Sequence, residues 1–150
     1  MAEERQFVVF KLAEENYGLP IDQVREINRL TEITRLPQTP QFVEGIINLR
    51  GGIIPIIDLR KRLMLPASNT DNTRIIVVDV EDHSVGIIVD YVTEVLHLSS
   101  DNIDAPPPSL VIDAAYLEGI GKIDNRLVML LKIDKILTSE EQSILNVSLG

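Results

Sequence analysis

At 150 residues the chain can bury roughly 70% of the surface that its unfolded form exposes, enough for one domain or two small halves with their own core. Apolar residues make up 45% and aromatics only 4%, with no Trp and no Cys, so the core is packed from Ile, Val and Leu; disulfides, thiolate chemistry and Cys-dependent zinc motifs are excluded. A net charge of −9 repels phosphate backbones and anionic lipid, which argues against a nucleic-acid partner.

Met1–Gln6 is charged and leads into no apolar export core, and no apolar run reaches the roughly 18 residues needed to cross a bilayer. This points to a cytoplasmic protein with no direct membrane insertion. Phe7–Phe10 is the first β-rich run, and Tyr17-Gly18-Leu19 enters a second apolar segment after polar residues, a hairpin signature. A third strand is expected over Arg25–Leu30. Thr39–Gly45 reads as a short helix, with Thr39 placed to cap it, Pro40 suited to its first turn and Gly45 able to stop it. Strand Gly52–Asp58 follows, and then the polar linker Asn69–Thr73.

The second half opens on Arg74–Val78 and continues through Val85-Gly86-Ile87. Its third strand, Thr93–Leu98, breaks clean alternation, which predicts a twist or bulge. Ala105-Pro106-Pro107-Pro108-Ser109 can form neither helix nor central strand and reads as a loop. Arg126–Ile133 is a closing strand and Asp134–Leu149 a terminal helix.

The chain is written twice. Phe7–Leu30 aligns without a gap with Ile75–Leu98, so that Val9, Gly18, Asp22, Val24, Glu26 and Leu30 recur as Val77, Gly86, Asp90, Val92, Glu94 and Leu98. Further on, Glu44–Leu63 aligns with Glu118–Leu137. The repeat predicts two similar substructures related by a pseudo-twofold axis. Five short strands per half, frequent glycine turns and few helices predict a mainly β fold of two small five-stranded barrels packed together. The expected boundaries, within a single domain 1–150, are about 20–68 for the first barrel and about 74–133 for the second, with strand 7–12 and helix 134–149 packing on them.

No catalytic constellation emerges. His83 sits in a polar turn and His97 on a strand, without the spacing of metal ligands, and no Gly-x-Ser-x-Gly elbow supports a nucleophile. Gly119-Ile120-Gly121 lacks the third glycine and the βαβ frame of a dinucleotide loop. Asp22, Glu26, Asp90 and Glu94 recur between copies, which favours a structural task such as satisfying turn amides over acid/base work. The expectation is a protein that is not an enzyme and binds no cofactor and no metal.

The run Asn48-Leu49-Arg50-Gly51-Gly52-Ile53-Ile54-Pro55-Ile56-Ile57-Asp58-Leu59-Arg60 resembles the signature of the CheW family of bacterial chemotaxis adaptors. Ile21-x-x-Val24-x-Glu26-Ile27, Pro40-x-Phe42-Val43-x-Gly45, Val85-Gly86-Ile87-Ile88-Val89-Asp90 and Tyr116-Leu117-x-Gly119 agree in order, and the resemblance runs from about Phe7 to Leu145. It implies two SH3-like five-stranded barrels and an adaptor that couples the cytoplasmic helical tips of transmembrane chemoreceptors to the regulatory domain of the histidine kinase CheA. Its localisation would be cytoplasmic, at receptor clusters reached through its partners. With no kinase segment before the module and no receiver domain after it, the free-standing adaptor is expected.

By the same resemblance, Ile21, Val24, Glu26, Ile27 and Arg50 are the candidate receptor-binding residues. The apolar three would line a groove wall suited to the stripe of a partner helix, or else serve as ordinary core. Glu26 would pair with a basic receptor residue or bond a turn. Arg50, whose repeat partner is Asp124, would act in receptor control of the kinase or form a local salt bridge. Ile87, Val89, Val92 and Val95 are the candidate kinase-binding residues, chosen as the repeat counterparts of the groove or their neighbours.

Overall fold

Ile75–Val78 has no polar face, and such a strand is stable only where both faces are covered. The computed structural model, which describes residues 3–80, 83–107 and 116–136, supplies that cover by packing two β-sheets over a shared core. In chain order the strands are β1 (Glu4–Leu12), β2 (Glu15–Pro20), β3 (Val24–Arg29), β4 (Val43–Leu49), β5 (Gly52–Asp58), β6 (Arg74–Val80), β7 (His83–Val89), β8 (Tyr91–Ser99), β9 (Ile103–Asp104), β10 (Leu117–Ile123) and β11 (Arg126–Leu131). One-turn helices follow β5 and β11: α1 (Leu59–Arg62) and α2 (Ile133–Ile136).

Strands β3-β6-β7-β5-β4 form one SH3-like barrel and β8-β1-β2-β11-β10-β9 the other. Each has its own interior. Ile47, Ile54, Ile56, Ile75, Val77 and Ile88 fill the first, and Phe7, Val9, Leu96, Leu98, Val128 and Leu130 fill the second. The opposite faces of the same strands meet between the barrels, where Phe10, Leu12, Leu19, Ile76, Val78 and Ile87 belong to one larger cluster. β6 thus sends Ile75 and Val77 inward and Ile76 and Val78 to the seam, as a strand with two buried faces should.

The repeat is reproduced in the pairing. β5 runs parallel to β7 with Ile56 opposite Gly86, and β11 runs parallel to β2 with the equivalent Leu130 opposite Gly18. β3 against β6 slips between Val24↔Val78 and Glu26↔Val77, and β8 against β1 slips at the equivalent place, between Val92↔Phe10 and Glu94↔Val9. The bulge expected in Thr93–Leu98 therefore occurs in both halves, at Arg25 and at Thr93. The pairing also differs from the expected division at 20–68 and 74–133. Each half lends its first hairpin to the other barrel, so the first barrel is built from β3 to β7, and the second combines β1 and β2 with β8 to β11. The N-terminal strand is not packed on a barrel from outside; β1 is hydrogen-bonded between β8 and β2.

Thr39–Gly45 is not a helix. Thr39 and Pro40 carry no regular structure, a turn bonds Val43 N–H to the Pro40 carbonyl at 3.0 Å, and β4 begins at Val43. Gly45 serves barrel closure instead: Thr34 exchanges both backbone hydrogen bonds with Ile46, and with φ +144 at Gly45 an added Cβ would stand 2.0 Å from the Thr34 carbonyl oxygen. The second barrel closes in the same manner where β9 pairs with β10, Asp104 opposite Ile120. Ile133 lies in α2 and not in the closing strand; beyond Ile136 the expected terminal helix falls outside the described residues, as does the Pro108-Ser109 end of the expected loop.

Arg60 is 1% exposed and all its donors are used. Nε and Nη2 bond the two Asp58 carboxylate oxygens at 2.9 Å, Nη1 bonds Asp90 Oδ1 and the Ser68 carbonyl at 2.9 Å, and Nη2 also reaches Asn69 Oδ1 at 2.7 Å. Burial works against the charge, but the bonds to Asp58 and Asp90 outweigh it and hold the guanidinium pKa up. Asp90 also accepts from Ala13 N–H at 2.8 Å, so one cation ties the end of β5, the inter-half linker, the β7–β8 connection and the β1–β2 turn.

Two outcomes follow, both read by urea denaturation. Arg60→Met leaves Asp58 buried and unpaired and is expected to cost about 3–5 kcal/mol, part of which returns on adding Asp58→Asn. Gly45→Ala is expected to cost about 3 kcal/mol, whereas Gly52→Ala, whose added Cβ meets nothing closer than 3.5 Å, should be close to neutral.

Candidate docking faces

β3 is an edge strand, and its bulge decides which residues look outward. Leu30 packs into the first barrel's interior, yet Val24, an even number of residues away, packs on the inter-barrel cluster. The extra residue at Arg25 reverses the alternation and brings Val24 and Ile27 onto the same outer side. Val24 is partly buried against the seam, while Ile27 is 41% exposed. Ile21 lies apart from them, in the helical turn between β2 and β3, where it lines a cleft of about 410 Å³ with Pro20, Asp22, Glu4 and His97.

Glu26, beside Ile27, is held within the chain. Arg50 clamps it with both terminal nitrogens, Nη2 to Oε2 and Nη1 to Oε1 at 3.2 Å, and Asn28 Nδ2 donates to Oε1 at 2.8 Å. The Arg50 bonds first, and then Asn28, hold the Glu26 carboxyl below its ordinary value of 4.5. Arg50 and Gly51, with φ of 53 and 88, are the two turn residues of the β4–β5 hairpin, a type I′ turn that presents the guanidinium at the barrel's end. Its side chain stays 71% exposed. Of the two roles open to Arg50 in the sequence, the local salt bridge is present.

The second barrel carries the same arrangement. Glu94, the repeat of Glu26, pairs with Arg126 at 3.1 Å. That arginine stands two residues after Asp124, the repeat partner of Arg50, so both halves pair this carboxylate with a hairpin arginine taken from different positions. Each pair is flanked by outward aliphatics at equivalent positions: Ile27 and Ile53 on the first barrel, Val95 and Leu127 on the second. Ile53 and Leu127, each 60% exposed, were hidden within runs that look uniformly apolar. Their signal is the alternation against Ile54 and Val128, which point into the barrel interiors.

Ile87 and Val89 must be withdrawn from the kinase-binding set. Both are 0% exposed in the inter-barrel core, because β7 is central in its sheet and covered on both faces. Val92 is partly buried against the same core, and Val95 remains outward.

A family model described as the CheW-like domain matches residues 6–141. The chain belongs to the CheW-like family. It is 40% identical over 144 residues to the chemotaxis protein CheW of Klebsiella aerogenes, covering 95% of this chain and 87% of that protein. It is 36% identical over 137 residues to CheW of Bacillus subtilis, covering 90% and 88%. The crystal structure of the scaffolding protein TtCheW from Thermoanaerobacter tengcongensis superimposes with a TM-score of 0.87 at 42% identity, over 94% of this chain and 96% of that one. This CheW-like chain thereby joins the chemotaxis scaffolds, and among its described residues no helix is long and apolar enough to cross a membrane.

The Glu26 clamp has a pH signature. A lowered carboxyl pKa means that its contribution is complete above 4.5 and fades as pH falls through the lowered value. In Arg50→Ala, the Glu26 side-chain carboxyl followed by NMR titration is expected to move up toward 4.5, with Asn28 retaining part of the shift.

Proposed function

We propose that this CheW-like chain is a non-catalytic adaptor that couples chemoreceptor tips to the regulatory domain of the kinase CheA, and that its partners recruit it to membrane receptor clusters. The supporting observation is the duplicated outward face: an aliphatic pair beside a Glu–Arg pair, once on each barrel. A chain with two such faces on different barrels is suited to hold two partners at once.

The receptor tip is assigned to the first face, with Ile27 as its apolar contact, Val24 at its inner rim, Ile21 in the neighbouring cleft, and Glu26 and Arg50 as its charges. An amphipathic helix supplies the matching chemistry, an aliphatic stripe bordered by charge. The kinase regulatory domain is assigned to the second face, through Val95 with Val92 behind it, and with Leu127 and Arg126 beside them.

Calorimetry with the purified regulatory domain of CheA and with a helical receptor-tip fragment from the same genome tests the assignment. Ile27→Lys is expected to weaken receptor binding by about tenfold or more and leave kinase binding intact; Val95→Lys should do the reverse, and Arg50→Ala should keep the kinase contact. Absence of binding to both partners by the folded parent chain would refute the adaptor reading. Loss of both affinities in one folded variant would refute the division into two faces.

A further inference from the structure

The chain passes between the barrels only twice among the described residues. Ile21–Gln23 joins β2 to β3, and Asp90 alone joins β7 to β8. Both links are short enough to act as hinges. Most of the contact between the barrels is aliphatic, and such packing resists separation more than it resists small rotations, because it has no preferred direction. Directional contacts across the seam therefore matter for the angle between the barrels.

One of them sits at a singular place. The guanidinium carbon of Arg62 lies 5.2 Å from the centroid of the Phe42 ring and 5.3 Å from that of Tyr116. Phe42 precedes β4 and Tyr116 precedes β10 at the equivalent position of the repeat. Their backbones are fixed alike: the Phe42 carbonyl accepts from Asp58 N–H at 2.8 Å and the Tyr116 carbonyl from Lys132 N–H at 2.9 Å. Arg62 Nε also donates to the carbonyl of Ile136, its own repeat partner, at 2.8 Å. A group that touches equivalent atoms of both halves, and also its own counterpart, stands at the pseudo-twofold axis. Only one half can place a long cation there, since two would collide and repel. Accordingly α1 carries Arg62, while α2 carries the buried Ile136.

We infer that Arg62 is a clasp between the barrels: it joins Phe42 of the first to Tyr116 and the end of α2 of the second, and it fixes the angle at which the two barrels present their outer faces. Cation–π attraction to both rings supplies the pull, and the Nε–H bond to Ile136 sets the direction. Arg62 is thus a positioning residue, and the consequence for docking, though not the clasp itself, rests on the adaptor function proposed above.

The chain has no cysteine, so a double variant Glu15→Cys and His83→Cys, two exposed and repeat-equivalent sites on different barrels, accepts one spin label on each. Pulsed electron–electron resonance then reads the inter-barrel distance in the full chain with no partner present. Arg62→Met keeps the apolar stem but removes the charge, the planar group and the donor; Tyr116→Leu removes one ring. Either variant, once circular dichroism shows its sheets intact, is expected to broaden and shift the distance distribution, with Arg62→Lys intermediate. A folded Arg62→Met or Tyr116→Leu chain whose distribution superimposes on the parent's would overturn the clasp and leave Arg62 a contributor to stability alone. Because no partner enters the measurement, this result is independent of whether either docking face is correctly assigned.

Discussion

The parallel pairing of β5 with β7, and of β11 with β2, makes two copies of one pattern into a single cooperative object. A repeat unit alone would leave strand edges unpaired and an apolar face open to water. The first hairpin of the other unit completes its ladder, and Gly86 and Gly18 stand where the two units meet, opposite Ile56 and Leu130. At Gly86 an added Cβ would lie 2.4 Å from the Ile56 side chain, so the close approach that brings the strands together is written into the residue itself. Everything further out, from the barrel interiors to the candidate docking faces, inherits its position from this exchange.

A core of Ile, Val and Leu supplies most of the driving force but little direction. Direction comes from a small number of polar groups at the places where chain segments meet. Arg60 is the strongest example: a guanidinium removed from water, with both oxygens of Asp58 and one of Asp90 aligned on it, tolerates its desolvation only in one arrangement of β5, the linker and β7. The repeat shows that this arrangement is particular to one half. The positions equivalent to Asp58 and Arg60 are Lys132 and Asp134, with the charges exchanged. The arginine is thus kept where the chain has to be passed from one half to the other.

The duplication and the strand sequence were legible in the residues because both rest on local patterns: aliphatic runs, glycine positions and the matched order of Val, Gly, Asp and Glu. Which hairpin joins which sheet was not, since a repeat states that two segments are equivalent and is silent on whether they pair within a copy or across copies. Thr39-Pro40 carries real helix-start chemistry, but the chain there must turn into β4, and Gly45 is required for the approach of Thr34 rather than to stop a helix. A repeat assigns Ile87 and Val89 to a docking face only if equivalent or adjacent positions share exposure. Val89 repeats Ile21, but Ile21 sits 37% exposed in the turn after β2 while Val89 is still within central β7 and 0% exposed; Ile87 repeats Leu19, which is itself buried at 0%. Arg126 is not legible from the repeat either, because it performs the task of Arg50 from a neighbouring position, one that the repeat pairs with Gly52.

That displacement of the arginine is what gives the two faces different characters. On the first barrel the cation comes from the hairpin turn itself, so Arg50 projects at 71% exposure over a Glu26 side chain sheltered to 21%. On the second barrel the arginine is the first residue of β11, lies closer to the sheet, and shares exposure evenly with its partner, 40% for Arg126 and 39% for Glu94. A partner at the first face meets mainly a positive group with aliphatic neighbours, whereas a partner at the second meets a balanced pair between Val95 and Leu127. In the adaptor proposed above, two copies of one barrel thereby separate their partners without any change of fold, because moving one arginine by two positions alters which charge the surface offers while its carboxylate keeps its place in the repeat.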